Sequence, residues 1–513
     1  MCRYLCTLSM MIKIFMLRIL ACIIIVQCFA TMNSEIPTSY DVVIIGGGVV
    51  GLAVLRAATL EGYKCALVES EADLLSHASG SNSGIACTGV DATPGTLERA
   101  LIRDANSQFR IYCKTMNLPA RPCGSLVCLW PWDATSKNDD FDSDGLDAVL
   151  EESHEAGDTH AKRIHLDRVL EMEPNLSSDC QGAVHIPGEI VVDPFLYSVS
   201  LAVHARENGA DIFTNFEFDP GASSFDGSGW NVVRKINVNE NSVEEKEEDS
   251  NTRSSDNDND SNSNPMHLRA RAIVNAGGLW AEILQSKGHG TSKWKAKPRR
   301  GQYRIYSSTN ETIIHHPIQP VPTQFTKGVF VFSTLYDQIV VGPTALDQES
   351  KIDRSIDDQV ADELDAVVRR IIPSLNTEEA HVGEYVGIRP GTDQRDYQIH
   401  LFPKEHWIAV AGIRSTGLTA SLGIGNYVLR NLKSVLDSAP GMNIDTDIDT
   451  DDGRQMTTQT TPLPPLDTLV ENYHTRNDGC VDINGHAYRV THPLTRIGWT
   501  KRSGLASTCR AKY

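Results

Sequence analysis

From residue 41 the chain reads DVVIIGGGVVGLAVLRAATLEGYKCALVESE. An unbroken apolar run at 41–46 leads into a glycine-rich turn. Apolar positions then recur at helical spacing over 49–61, and a second apolar run at 64–69 ends in acid. The pattern predicts strand, turn, helix, strand. A third strand-type run lies at 125–130, and helical spacing returns at 95–117, where Thr93 before Pro94 predicts a cap with proline in the first turn. WNVVRKINV and HLRARAIVNAGG both read as strands, and LRARAIVNAGGLWAEIL continues the second into a small-residue turn and a helix. HWIAVAGIRSTGLTASLGIGNYVLRNL repeats that logic late in the chain, with Gly412, Gly417 and Thr419 in the turn. The segment YRVTHPLTRIGWTKR, in the polar stretch after 437, is expected to dock back on the body as a strand.

At 513 residues the chain exceeds one ordinary core, so two or three packed units are expected. The net charge of −19 sits in three stretches, 132–160, 236–264 and 441–454, carrying −9, −7 and −4, so the rest is close to neutral. No basic stripe suited to nucleic acid is left. Residues 236–264, rich in Asn, Asp and Ser, lack the apolar content to pack and are expected to form a disordered connection between two strands. The twelve cysteines show no CxxC or paired Cys/His spacing, so no metal site is expected. Cys65 and Cys128 fall in apolar runs and read as buried thiols, and cysteine usage favours a reducing compartment. Residues 1–34 hold Arg3, Lys13, Arg18 and an apolar run from Ile19 to Ala30, with no acid before Glu35. They read as a targeting segment: a mitochondrial presequence, a signal peptide, or an anchor giving membrane association are open alternatives.

Gly46, Gly48 and Gly51 form G-x-G-x-x-G directly after the first strand. In such a motif the first glycine permits the turn, the second admits a pyrophosphate, and the third lets helix pack on strand. Glu69 ends the next strand, where a carboxylate accepts from ribose hydroxyls; an acid there disfavours a 2′-phosphate and so NADP. A dinucleotide is therefore expected. The late Gly412–Thr419 turn favours FAD over NAD, because a helix N-terminus there can stabilise negative charge on a reduced flavin.

The set DVVIIGGGVVGLA, SGSNSGIACTGVDATPGTLERAL, IVNAGGLWA, GPTA, VGIRPGTDQRDYQI and VAGIRSTGLTAS resembles the FAD-dependent D-amino-acid-oxidase superfamily over roughly residues 40 to 435. It looks most like the branch of L-2-hydroxyglutarate dehydrogenase and FAD-linked glycerol-3-phosphate dehydrogenase. The resemblance implies an α/β fold, with a Rossmann-like FAD-binding domain interleaved with a mostly antiparallel α+β substrate domain. FAD-binding parts are expected at 40–120, 191–285 and 389–436, and substrate-domain parts at 121–190 and 286–388, followed by a linker and tail at 437–513. It implies that Gly46, Gly48, Gly51 and Glu69 hold the ADP half of FAD. Ser79 to Gly84 would lie along the pyrophosphate and flavin, with Asn82 and Ser83 offering polar side chains and Gly84 permitting close approach. Gly277 would lie beside the cofactor, and Gly417, Leu418 and Thr419 would cover the pyrimidine edge. Arg389 would clamp a substrate carboxylate or phosphate, with Tyr303 as a pocket residue.

Three positions depart from the relatives' pattern. Cys87 and Ser81 stand where histidines are common, and Arg414 stands where an acid is common. Cys87 reads first as a small core thiol, then as a substrate neighbour, then as a covalent flavin tether. Arg414 would favour a dianionic substrate or pair with an acid such as Asp393. The implied reaction is oxidation of a small anionic 2-hydroxy acid, L-2-hydroxyglutarate first, by hydride transfer to flavin. Glycerol-3-phosphate oxidation, an amino-acid or sarcosine-type oxidase, and a catalytically inactive FAD-binding assembly factor are the alternatives. The electron acceptor would be oxygen, a quinone or an electron-transfer flavoprotein. His381 and His400, flanking the Arg389 segment, are the candidate bases.

Overall fold

The structure is a computed structural model that describes residues 38–132, 145–235, 267–288, 290, 292–322, 328–437 and 459–502. The targeting segment and the 236–264 connection lie outside these residues. Two large sheets organise the chain. In the first, strand Thr38–Ile45 lies between Cys65–Val68 and His267–Asn275, parallel to both, and Asp211–Phe213 extends the sheet beyond Cys65–Val68. The far side of His267–Asn275 is shared. Trp230–Val233 pairs antiparallel with its first half, and Trp407–Ala411 pairs parallel with its second.

The unbroken apolar runs are explained by burial on both faces, as in parallel sheets generally. Val42 and Ile44 pack with the residues of helices Val49–Leu60, Leu97–Thr115, Pro194–Glu207 and Gly417–Asp437. Val43 and Ile45 face an aromatic layer of Phe216, Phe218, Trp230, Trp294 and Trp407. Helix Gly417–Asp437 approaches its neighbours at backbone distance. A Cβ at Gly423 would stand 2.2 Å from the Leu101 carbonyl oxygen, and one at Gly425 2.7 Å from that of Ala53. Cys65 and Cys128 are both fully buried.

The second sheet has nine strands and is antiparallel except where Ile318–Pro320 runs parallel to Ser125–Leu129. Its longest pair joins Ala296–Ser307 to His381–Thr392, with Arg299 opposite Arg389, Gly301 opposite Gly387 and Tyr303 opposite Tyr385. Helix Asp358–Ile371 buries Leu364, Val368 and Ile371 in a core shared with Tyr306, Ile339 and Val341 of this sheet.

Several expectations are corrected. The helix expected from 95 begins at Leu97 and is capped by Thr96, whose side chain accepts from the Arg99 amide. Thr93 lies one turn earlier and serves the cap instead, its carbonyl accepting from the Thr96 hydroxyl at 2.6 Å. The expected boundary at 389 falls inside a strand that stays in the antiparallel sheet to Thr392. The acidic stretch 132–160, by contrast, needs no correction: its sequence reads as a partly helical surface segment, and its described part holds a helix over Gly145–Glu155. The C-terminal stretch is a folded unit: helix Leu466–Arg476, a hairpin of Cys480–Ile483 with His486–Arg489, and helix Pro493–Arg502. Of the stretch read as a strand, only its start is one. The remainder is the last helix, which buries Leu494 and Trp499.

Candidate active site

Three parallel strands end side by side, at Ile45, Asn275 and Ala411. The turns that follow therefore emerge at one edge of the sheet, although the sequence separates them widely. A cavity of about 1040 Å³ runs along that edge. Its wall includes Glu69 and Glu71, then Gly46, Gly48, Ser79, Asn82, Ser83 and Gly277, and also Tyr303, Arg389 and Thr419.

The first turn is built for close approach. Gly46 has φ +110°, and a Cβ at Gly51 would stand 2.0 Å from the Gly46 carbonyl oxygen. Gly51 thus packs helix on strand and is absent from the cavity wall, while Gly46 and Gly48 form that wall. The residue before helix Val49–Leu60 is Gly48, which offers no side-chain cap, and the helix has no acid in its first turn. Ser79 reaches over it, its hydroxyl oxygen accepting from the Val49 amide at 2.9 Å. Such a terminus attracts phosphate. Glu69 is buried at the end of its strand, and its carboxylate accepts from the Gly47 and Glu71 amides.

The polar loop forms the next stretch of wall. The Asn82 side-chain oxygen accepts from the Gly84 amide at 2.8 Å. Gly84 is off the wall; it has φ +70°, and a Cβ there would stand 2.7 Å from the Val192 carbonyl oxygen. Ser81, at a histidine position of the relatives, lines the cavity and donates to the His77 carbonyl at 3.2 Å. Cys87 is only partly buried and lines the cavity, so the core-thiol reading is corrected. Its amide donates to the Thr419 hydroxyl oxygen at 3.2 Å, joining the first segment to the late turn. Gly417 and Leu418 line the same turn.

On the facing sheet, Lys297, Arg299, Gly301 and Tyr303 alternate along one strand at the cavity wall, and the continuous stretch from Gly387 to Thr392 of its partner, Arg389 included, lines the same wall. The alternation on the first strand is the two-residue period of a pleated sheet. The Arg389 guanidinium occupies the room left by Gly301, where a Cβ would stand 2.8 Å from Nη2, and donates to the Thr344 carbonyl at 2.9 Å. Burial foremost, and the neighbouring Arg299 charge with it, pull Arg389 below the ordinary arginine range; Tyr303 beside it pulls the other way. A guanidinium stays charged under such conditions.

Arg414 lines the cavity but pairs with Glu98 at 2.6 Å rather than with Asp393. Glu98 is buried and also accepts from the Thr416 hydroxyl at 2.8 Å. The two candidate histidines are not in the site. His381 lies eight residues before Arg389 on one strand, roughly 26 Å away at strand rise, and its ring meets Tyr306 edge-on. His400 stacks on Trp294 at 5.3 Å, with its Nε2 at 3.1 Å from the Gln398 side-chain oxygen. Both rings are placed by aromatic contacts away from the cavity wall.

Sequence reasoning missed Arg299, Glu98 and Glu189, whereas Ser79, the first residue of the expected polar run, does line the cavity. For Arg299 a signal existed, since it stands four residues before Tyr303 and so on the same face of a strand. Glu189 lines the cavity at 2% exposure and accepts from Gln319 Nε2 at 2.9 Å. In the short antiparallel pair Ala86 faces Ile190, and one further step sets Glu189 beside Cys87.

A helix N-terminus at the cleft wall, an acid at the next strand end and a long cleft with the half-buried Arg389 on its wall fit an extended dinucleotide. Fold and site together define a dinucleotide-dependent oxidoreductase. Residues 41–430 match the family described as FAD dependent oxidoreductase, DAO. A glycerol 3-phosphate dehydrogenase of Caloramator mitchellensis is 28% identical over 401 residues, 77% of this chain and 74% of its own. A mitochondrial L-2-hydroxyglutarate dehydrogenase of Nematostella vectensis is 26% identical over 320 residues, 60% of this chain and 62% of its own. The dithionite-reduced L-alpha-glycerophosphate oxidase of Mycoplasma pneumoniae, solved with FAD bound, shares the fold with a TM-score of 0.64 at 24% identity, over 78% of this chain and 95% of that one. The chain belongs to the family of FAD-dependent oxidoreductases, and its cofactor is FAD.

Gly48→Val places a branched side chain over the helix terminus. The variant should keep the far-ultraviolet circular dichroism of the parent and lose flavin affinity at least tenfold. Purification with full flavin absorbance and a parental Kd would contradict this placement of the cofactor.

Proposed function

We propose that the protein oxidises the secondary alcohol of glycerol 3-phosphate to the ketone, with FAD as the oxidant. The observation that carries this reading is Arg299 facing Arg389 across one rung of the antiparallel pair, both at the cavity. Like charges directly opposite destabilise a strand pair. Arg299 Nε reaches Asp347 at 3.2 Å, but that carboxylate is 83% exposed, and exposed pairs screen little. A phosphate dianion relieves the repulsion, because it brings two charges to one point between the guanidiniums. L-2-hydroxyglutarate spreads its two charges over the length of its chain. This reverses the order drawn from the resemblance. The likeness to the Nematostella enzyme keeps L-2-hydroxyglutarate as the second reading.

When bound, FAD accepts the hydride from the alcohol carbon. Arg299 and Arg389 hold the anion and so orient the neighbouring carbon. Tyr303, buried and stacked on Tyr385 at 4.4 Å, sets the wall beside them. Proton removal falls to Glu189, the buried carboxyl at the cavity. Burial, the largest cause, and then the Asp91 and Asp158 charges push it up to about 8, opposed by hydrogen bonds from Ser125 and Gln319. As the C–H pair leaves as hydride, the hydroxyl proton passes to Glu189 and the C–O bond becomes a carbonyl. A base with a pKa near working pH is efficient in this role.

Anaerobic mixing of the flavin-loaded protein with glycerol 3-phosphate should bleach the flavin absorbance and yield the ketone. Bleaching by L-2-hydroxyglutarate alone would transfer the assignment to the second reading. Bleaching by amines alone would make the protein an amine oxidase, and bleaching by none would overturn an oxidative function.

Glu189 acts as a base only when ionised, so kcat should rise with pH through about 8 and level off above it. Glu189→Gln should lower kcat by on the order of 10²–10⁴ and abolish the rise. A variant with parental kcat and an unchanged profile would remove Glu189 from the reaction.

A further inference from the structure

The match to the family ends at residue 430, yet residues 459–502 fold against the body. Many of their contacts go to helix Pro194–Glu207, and a second set falls on the loop at 73–82, part of which lines the cavity. Arg489 pairs with Asp73 at 3.0 Å, and the Thr491 hydroxyl donates to the Leu74 carbonyl at 3.5 Å. His492, fully buried, meets the carbonyl oxygen of Asn82 with Nε2 at 3.1 Å. Three residues further on, the Thr495 hydroxyl donates at 2.9 Å to Asp193, which caps helix Pro194–Glu207. Leu494 joins Tyr303 and Tyr385 in one apolar cluster, with Ile497 packed against it.

The geometry fixes the tautomer of His492. The Leu494 amide donates to Nδ1 at 3.3 Å, so Nε2 carries the proton and donates to Asn82. Burial, the first cause, pushes the imidazole down to about 3, so it is a neutral donor at any working pH. The Asn82 carbonyl receives a second bond, from the Tyr385 hydroxyl at 3.1 Å. Tyr385 stacks on Tyr303, and the Tyr303 hydroxyl lies beside Arg389.

Two donors on one carbonyl fix the orientation of a peptide plane. In a trans peptide the N–H of the next residue points opposite to the carbonyl. Holding the Asn82 oxygen toward His492 and Tyr385 therefore turns the Ser83 N–H the other way, and Asn82 and Ser83 both line the cavity. We infer that the C-terminal unit is part of the flavin site, with His492 as a positioning residue that locks the Asn82–Ser83 peptide so that its N–H faces the cofactor. The inference rests on FAD as cofactor and is independent of which alcohol is oxidised.

Three variants of the full chain test it: His492→Ala, which removes the donor; His492→Gln, whose side-chain amide can replace it; and Tyr385→Phe, which removes the second donor while the ring stays stacked. The readouts are the Kd of the apoprotein for FAD, the flavin midpoint potential, and the thermal midpoint. His492→Ala should weaken FAD binding at least tenfold or shift the potential, His492→Gln should recover most of the loss, and Tyr385→Phe should weaken binding several-fold. If His492→Ala does not fold, Tyr385→Phe decides the matter alone. Parental FAD affinity and potential in the folded variants, whatever their thermal midpoints, would overturn the inference and leave His492 a packing residue.

Discussion

The contact that the rest of the site depends on is the seat of the first helix on the first strand. At Gly51 any side chain would collide with the Gly46 carbonyl, at 2.0 Å from Cβ to oxygen. Only with that seat does the N-terminus of helix Val49–Leu60 lie level with the ends of the parallel strands. Because those strands are neighbours, the turns after Ile45, Asn275 and Ala411 then share one edge. A ligand crevice at the carboxyl ends of parallel strands follows from that geometry. Helix Gly417–Asp437 completes it, held at backbone distance by Gly423 and Gly425.

The cleft wall carries both signs. Glu69 and Glu71 lie on it, and the antiparallel sheet brings Lys297, Arg299 and Arg389 to it together with Asp347. The arginines are not interchangeable with surface cations. Arg389 is held in a slot opened by Gly301, and its partner across the rung is another arginine. Arg414 is different, since its charge is already matched by Glu98, and its service is to tie the late turn to the start of helix Leu97–Thr115.

What could be read from the sequence was local. Runs of buried strand residues, the glycines of a tight turn and an acid at a strand end all carry their signal within about thirty residues, so the FAD-binding half was legible. Pairing between distant strands was not. Arg299 and Arg389 stand ninety positions apart, and only the register makes them neighbours. His381 and His400 show the converse error: His381 is far from Arg389 along one extended strand, and His400 lies on Gln398–Phe402, which pairs with Trp407–Ala411 in the other sheet. Glu189 was hidden for a related reason: its importance comes from a short pairing beside Cys87 that composition does not announce. The tail was misjudged from its polar composition. Its described residues bury Leu469, Val481, Ile483, Tyr488 and Val490 as well as Trp499 and His492, which are fully enclosed.

The central claim is that two facing guanidiniums share one substrate anion. A double-mutant cycle on kcat/KM with Arg299→Gln, Arg389→Gln and the double variant measures that sharing directly. The account predicts losses that fail to add, with an interaction energy of about 1 kcal/mol or more, as for residues in one charged network. Losses that add within about 0.5 kcal/mol would mean that the two arginines act on separate groups, and would contradict it.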